Sequence, residues 1–153
     1  MGRIISDEGQ LTHSRAQVIS VAREWIGTPY HHQASVRGAG CDCLGLVRGV
    51  FRELYGFEAE DIPAYCRDWS EVGGEETLLN AGREHLVETD EAKVGDVLIF
   101  RFKRGALAKH VAINVGGGRM IHAIENAPVC EVQLGRWWSR HIVGCFRFPG
   151  CND

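Results

Sequence analysis

The chain has no apolar run near the ~20 residues that a membrane-crossing helix needs. Its start, MGRIISDEGQ, lacks the long apolar segment of a secretory signal. Nor is there a basic excess: 17 Lys and Arg stand against 20 Asp and Glu, a formal net charge of −3. Membrane insertion and an electrostatic grip on nucleic acid are therefore not expected. Internal repeats, linkers, low-complexity tracts and C-x-x-C redox pairs are also absent. Without an export signal, the six cysteines are expected to be mainly reduced thiols of a protein made in a cytosol. Gly2 and Ser6 match a myristoylation pattern, but so short a pattern is a frequent accident.

What remains suffices for one folded domain. The chain has 153 residues, 44% hydrophobic and 24% charged, enough to bury a core without staples. Residues 1–13 read as an irregular arm and residues 14–153 as the domain. Ser14 suits a helix N-cap, and Val18, Val21, Ala22 and Trp25 recur at helical spacing until Gly27 and Pro29. Another helix is predicted near residues 75–86, after the breakers Gly73 and Gly74. From Val94 the segments VGDVLIFRF, HVAINV, RMIHAI, VCEVQL and HIVGCFRF are short and rich in Val, Ile and Phe. Helices followed by strands predict an α+β domain with N-terminal helices packed on a C-terminal antiparallel sheet. Cys66, Cys130, Cys145 and Cys151 read as small buried or edge hydrophobes.

The stretch GAGCDCLGLVRGVFRELYG, residues 38–56, turns from loop to helix. Asp42 suits the N-cap and Gly56 the C-cap. Cys43, Val47, Val50, Phe51 and Leu54 form one apolar stripe, with Arg48, Arg52 and Glu53 elsewhere. Gly45 and Gly49, one turn apart, allow another backbone to come close. Cys43 thus lies in the first turn, where the helix dipole and free N–H groups favour a thiolate and lower the thiol pKa. On the helix alone, a packed and unreactive core thiol is the commoner outcome.

In KHVAINVGGGRMIHAI, residues 109–124, two β-rich runs flank three glycines, a hairpin signal. A three-glycine loop pairs Val115 with Arg119, setting His122 opposite Ala112 and diagonal to His110. Pairing Val115 with Gly117 sets the histidines directly opposite. A two-residue loop puts them on opposite faces. On one face they suit a relay, His110 as base for a thiol and His122 as the group that orients it. A pair of ordinary strand histidines is the alternative. Cys41, Cys43, His110 and His122 also supply four zinc donor types, but C-x-C lacks the usual ligand gap and no second Cys pair matches it. The GGG run is a turn, not a phosphate loop.

Together these pieces resemble the NlpC-type cysteine peptidases, a branch of the papain-like superfamily. The matching segments are GTPY (27–30), CDCLGLV (41–47), VGDVLIF (94–100), HVAINVGGGRMIHA (110–123) and the final HIVGCFRF, in the family's order. The stretch HQASVRGAGCDCLGLVRGV, residues 32–50, resembles the branch found among tail genes of phages and gene transfer agents. The resemblance implies a papain-like fold, no cofactor and no metal, with Cys43 as nucleophile, His110 as general base and His122 as its orienting partner. It implies substrate-binding roles for Tyr30 and Asp42. The implied reaction is hydrolysis of a peptidoglycan stem-peptide amide, typically between D-glutamate and a diamino acid. The implied partners are stem peptides and tail-tip or baseplate proteins, and the implied location is a virion or gene transfer agent tail acting at the periplasmic wall. Leu44 departs from the family, where Ser often follows the nucleophile. A tail-tip structural module with a vestigial site, and a papain-like amidase or acyltransferase, are the competing readings. Cys41 has no assigned role, and His31 and His32 read as cleft-lining or merely solvated.

Overall fold

Ser14 closes a reciprocal cap: its hydroxyl accepts from the Gln17 N–H at 3.1 Å, while the Gln17 side chain accepts from the Ser14 N–H at 2.7 Å. The computed structural model describes residues 4–5, 11–59 and 76–152. The expectations at Gly2, Ser6, Cys66, Gly73, Gly74 and Glu75 lie outside the described residues. In chain order the elements begin with β1 (Ile4–Ile5), β2 (Leu11–Ser14) and α1 (Arg15–Arg23), then β3 (Ser35–Val36), β4 (Gly40–Cys41) and α2 (Cys43–Tyr55). There follow α3 (Thr77–His85), β5 (Val87–Thr89), β6 (Val97–Phe100), β7 (His110–Gly116), β8 (Arg119–His122) and β9 (Cys130–Gln133). The chain ends with α4 (Arg136–Arg140), β10 (Ile142–Arg147) and β11 (Cys151–Asn152). No helix among the described residues is long and apolar enough to cross a membrane.

The main sheet has the order β5-β10-β6-β7-β8-β9, antiparallel throughout. This is the predicted α+β architecture. Alternation along the strands divides two cores. Val97, Ile99, Val111, Ile113 and Ile121 join the core shared with α1 and α2, whereas Leu98, Phe100, Ala112 and Met120 join a smaller cluster that includes Trp138 of α4. All five stripe residues of α2 are buried, and so are Leu44, Gly45, Leu46 and Gly49, making the helix more enclosed than a single stripe implies. A Cβ on Gly45 would lie 1.8 Å from the Ala34 carbonyl oxygen, so there a neighbouring backbone does approach. At Gly49 it would meet the Trp25 ring at 2.0 Å, a side chain instead.

Three expectations need correction. The described residues of the arm, 4–5 and 11–13, are strand: β1 pairs with β2, and β2 pairs in parallel with β11 at the far end of the chain. The first helix ends at Arg23, and the tighter bonds Trp25 N–H to Ala22 and Thr28 N–H to Trp25 carry the chain to the breakers. The hairpin loop has two residues, not three, because Gly116 pairs with Arg119 around Gly117 and Gly118. A bulge between Asn114 and Gly116 supplies the missing residue. Ile113 therefore still faces Ile121, as the three-glycine register requires.

Asp96 joins α1 to the sheet. Its side chain is 1% exposed, and Oδ1 lies 2.6 Å from Arg15 Nη1 while Oδ2 accepts the Lys93 N–H at 2.8 Å. Arg15 also donates to the Val94 carbonyl at 2.9 Å. Asp96→Ala would leave a buried guanidinium without its anion, at a cost of about 3–5 kcal/mol. The expected outcome is a Tm lowered by roughly 10 °C in a thermal melt.

Candidate active site

The site forms where the first turn of α2 meets the start of β7. Asp42 caps α2: Oδ1 accepts the Gly45 N–H at 2.7 Å, and Oδ2 accepts the Gln33 N–H at 2.7 Å. Cys41, just before it, is fully buried and tied through its backbone to Pro29 and His31. An isolated parallel bridge to Tyr30 completes this attachment. Cys41 thus acts as a core residue and a backbone clamp. Cys43, 8% exposed, opens the helix.

Tyr30, Asp42, Cys43 and His110 share one cavity of about 170 Å³, whose wall also includes His32, Phe102, Lys109 and Glu125. An open depression of about 530 Å³ shares Tyr30 and Glu125 and continues the cleft past Pro29 and residues 126–128. The five residues singled out by sequence are therefore brought together: four line the cavity, and His122 stands behind His110. His110 Nε2 lies 2.9 Å from His122 Nδ1. His32 lines the cavity with Nδ1 3.8 Å from Asp42 Oδ2, while His31 is exposed. Leu44 turns into the core and brings no polar group to the cleft. Cys130 and Cys145 are half-buried and Cys151 is buried; Cys41, Cys43, Cys130, Cys145 and Cys151 are all free thiols. Among the described residues, no three of His, Cys, Asp and Glu gather as a metal site would require.

One part of the site was not foreseen from sequence. The rings of Phe100, Phe102 and Trp138 lie 5.7, 5.8 and 5.3 Å from that of His110, and Trp138 also meets His122 edge-on at 5.3 Å. The adjacent tryptophans of GRWWSRH were the available signal, but a helix as short as α4 shows no periodicity.

This enclosure overturns the expectation of a lowered thiol pKa. Burial, and then the Asp42 charge, push the Cys43 thiol up to about 12, against the opposing pull of the Val111, Leu44 and Cys43 N–H groups. Burial and then His122 push His110 down to about 3, and burial brings His122 down to about 4. Both shifts favour the neutral thiol and the neutral imidazole that share the cavity, and from that state the sulfur proton passes to nitrogen as the thiol attacks.

A model of the NlpC/P60 family matches residues 27–147. The murein DD-endopeptidase MepH of Escherichia coli (strain K12) is 29% identical over 126 residues, covering 80% of this chain and 41% of that protein. The gamma-D-glutamyl-L-lysine dipeptidyl-peptidase of Bacillus subtilis (strain 168) is 28% identical over 116 residues, covering 75% of this chain and 34% of that protein. This chain thus spans less than half the length of either relative. The crystal structure of the NlpC/p60 domain of the peptidoglycan hydrolase SagA superposes with a TM-score of 0.60 at 25% identity, covering 89% of this chain and 100% of that one.

Two outcomes follow from the neutral pair. At neutral pH, wild type and Cys43→Ala should show the same ultraviolet thiolate absorbance; a wild-type excess would indicate a resting ion pair. Both histidines stay neutral when folded but take protons near pH 6.5 when unfolded. Their contribution to stability is complete above about 6.5 and is lost as pH falls toward about 4 and below. Tm measured from neutral to mildly acidic pH should fall steadily, and less steeply in His122→Phe.

Proposed function

The chain belongs to the NlpC/P60 family, and from that premise we propose that it is a cysteine endopeptidase of peptidoglycan, cutting the stem-peptide amide between D-glutamate and a diamino acid. The observation that carries the reading is the line of groups from Cys43 at the start of α2, through His110 in the same cavity, to His122 at 2.9 Å. A thiol, a base and a group that orients the base are the parts that acyl transfer through a covalent intermediate needs. The choice of bond is supported by the Bacillus subtilis relative, whose name specifies a gamma-D-glutamyl-L-lysine linkage, lysine being one such diamino acid.

With His110 Nε2 engaged by His122, Nδ1 is the ring atom that takes the thiol proton. His110 then carries its Nε2 proton toward His122 Nδ1, which fixes the tautomers of both rings. Cys43 Sγ adds to the γ-carbonyl of D-glutamate, and free N–H groups at the start of α2 receive the oxyanion. His110 gives the proton to the leaving amine of the diamino acid. Water, deprotonated by the same imidazole, releases the D-glutamyl product from Cys43. Tyr30 and Asp42 bind the substrate on the acyl side. Leu44 contributes no hydroxyl there, so grip on the stem peptide's amino end falls to those two residues.

Delivery by a phage-like tail is the route we propose, supported by the resemblance of residues 32–50 to the tail-gene branch. Copurification with particles or tail proteins is expected; recovery only as free cytosolic protein would count against it.

The central test is digestion of purified diaminopimelate-type peptidoglycan with products identified by mass. Wild type should release new muropeptides with a free D-glutamate end, and Cys43→Ala none. His122→Ala should lower kcat by about 10²–10³-fold. Intact walls after wild-type treatment, under reducing conditions and across several wall types, would instead favour a structural tail module.

A further inference from the structure

The cleft wall made by Phe102 and Lys109 has no part in the chemistry above. Lys109 immediately precedes His110 and lines the same cavity as Cys43. Its Nζ lies 5.6 Å from the centroid of the Phe102 ring, a cation–π contact that holds the ammonium at the cavity wall. Among the described residues it has no carboxylate partner, although Asp42 and Glu125 line the same cavity. The sequence explains why: no Asp or Glu occurs between Asp96 and Glu125, so β6, β7, β8 and the loop after β6 offer no anion. Arg101, on the same loop, is by contrast paired with Glu76.

The reaction fixes what meets this wall. The leaving amine must come within reach of His110, so the diamino acid that carries it lies against the residues flanking that imidazole. A lysine side chain would bring a second ammonium to Lys109. A diaminopimelate side chain ends in a centre with both a carboxylate and an ammonium, and that carboxylate matches the Lys109 ammonium on this wall. We propose that Lys109 is a specificity-determining residue that binds the side-chain carboxylate of the leaving diamino acid, selecting a carboxylated diamino acid over lysine. The assignment rests on the peptidase reading above. A charge-assisted hydrogen bond made to one substrate and replaced by repulsion in the other supports a preference of about tenfold or more.

The test uses two synthetic stem peptides identical except for diaminopimelate or lysine after D-glutamate. The readout is the ratio of their kcat/KM values on one enzyme preparation, which is independent of how much of that preparation is folded. Wild type should favour the diaminopimelate peptide by about tenfold or more, Lys109→Met should bring the ratio to about one, and Lys109→Arg should keep the preference. A wild-type ratio near one, or a preference that survives Lys109→Met, would overturn the assignment while leaving the peptidase reading intact. Cleavage of neither peptide by wild type would overturn both.

Discussion

The Asp42 carboxylate, buried to 2% exposure, takes one hydrogen bond from the helix it caps and one from the loop opposite. The helix start and residues 30–34 are thereby held together at the point where Cys43 emerges. Gln33, whose N–H supplies the second bond, has a φ of 63°, a left-handed conformation that costs a non-glycine residue about 1 kcal/mol or more. The strain persists because Asp42 and the backbone bonds of residues 31 and 41 fix the loop from several sides. The same fixed anion also disfavours a thiolate beside it. One residue thus builds the cleft and adds its charge to the burial that disfavours the thiolate.

The histidine pair depends on a second constraint, the bulge in β7. A plain two-residue turn at Gly117 and Gly118 would have turned His122 to the face away from His110. The extra residue before Gly116 restores the register and lets the two imidazoles meet diagonally across the hairpin. Trp138, Phe100 and Phe102 then enclose the pair and remove the water that would stabilise an imidazolium.

How much of this was legible in the sequence follows the range of the interactions. The caps of α1 and α2 are local, so Ser14, Asp42 and Gly56 could be read directly. The shared face of His110 and His122 was legible as a choice of registers, but the bulge that decides between them leaves no mark in composition. Arg15 and Asp96 meet across most of the chain, and VGDVLIF marked Asp96 without revealing its partner. The strand β2 was missed because its parallel partner, β11, lies at the opposite end of the sequence. The direction of the Cys43 shift was misread for a related reason. The helix dipole is local and visible, whereas burial against β7 and proximity to Asp42 are tertiary, and here they outweigh it.

A neutral thiol–imidazole pair suits the proposed peptidase, whose cleft would meet its substrate only at the wall. A standing thiolate is open to oxidation and alkylation, whereas a buried thiol is not. In this arrangement the charge separation that makes sulfur nucleophilic is formed together with the oxyanion, against N–H groups that already point at the sulfur. The substrate's own developing charge then supplies the partner for an imidazolium that forms only during attack. The enclosure that raises the thiol pKa therefore also strengthens each electrostatic contact made during attack, because the field of those N–H groups acts through little water.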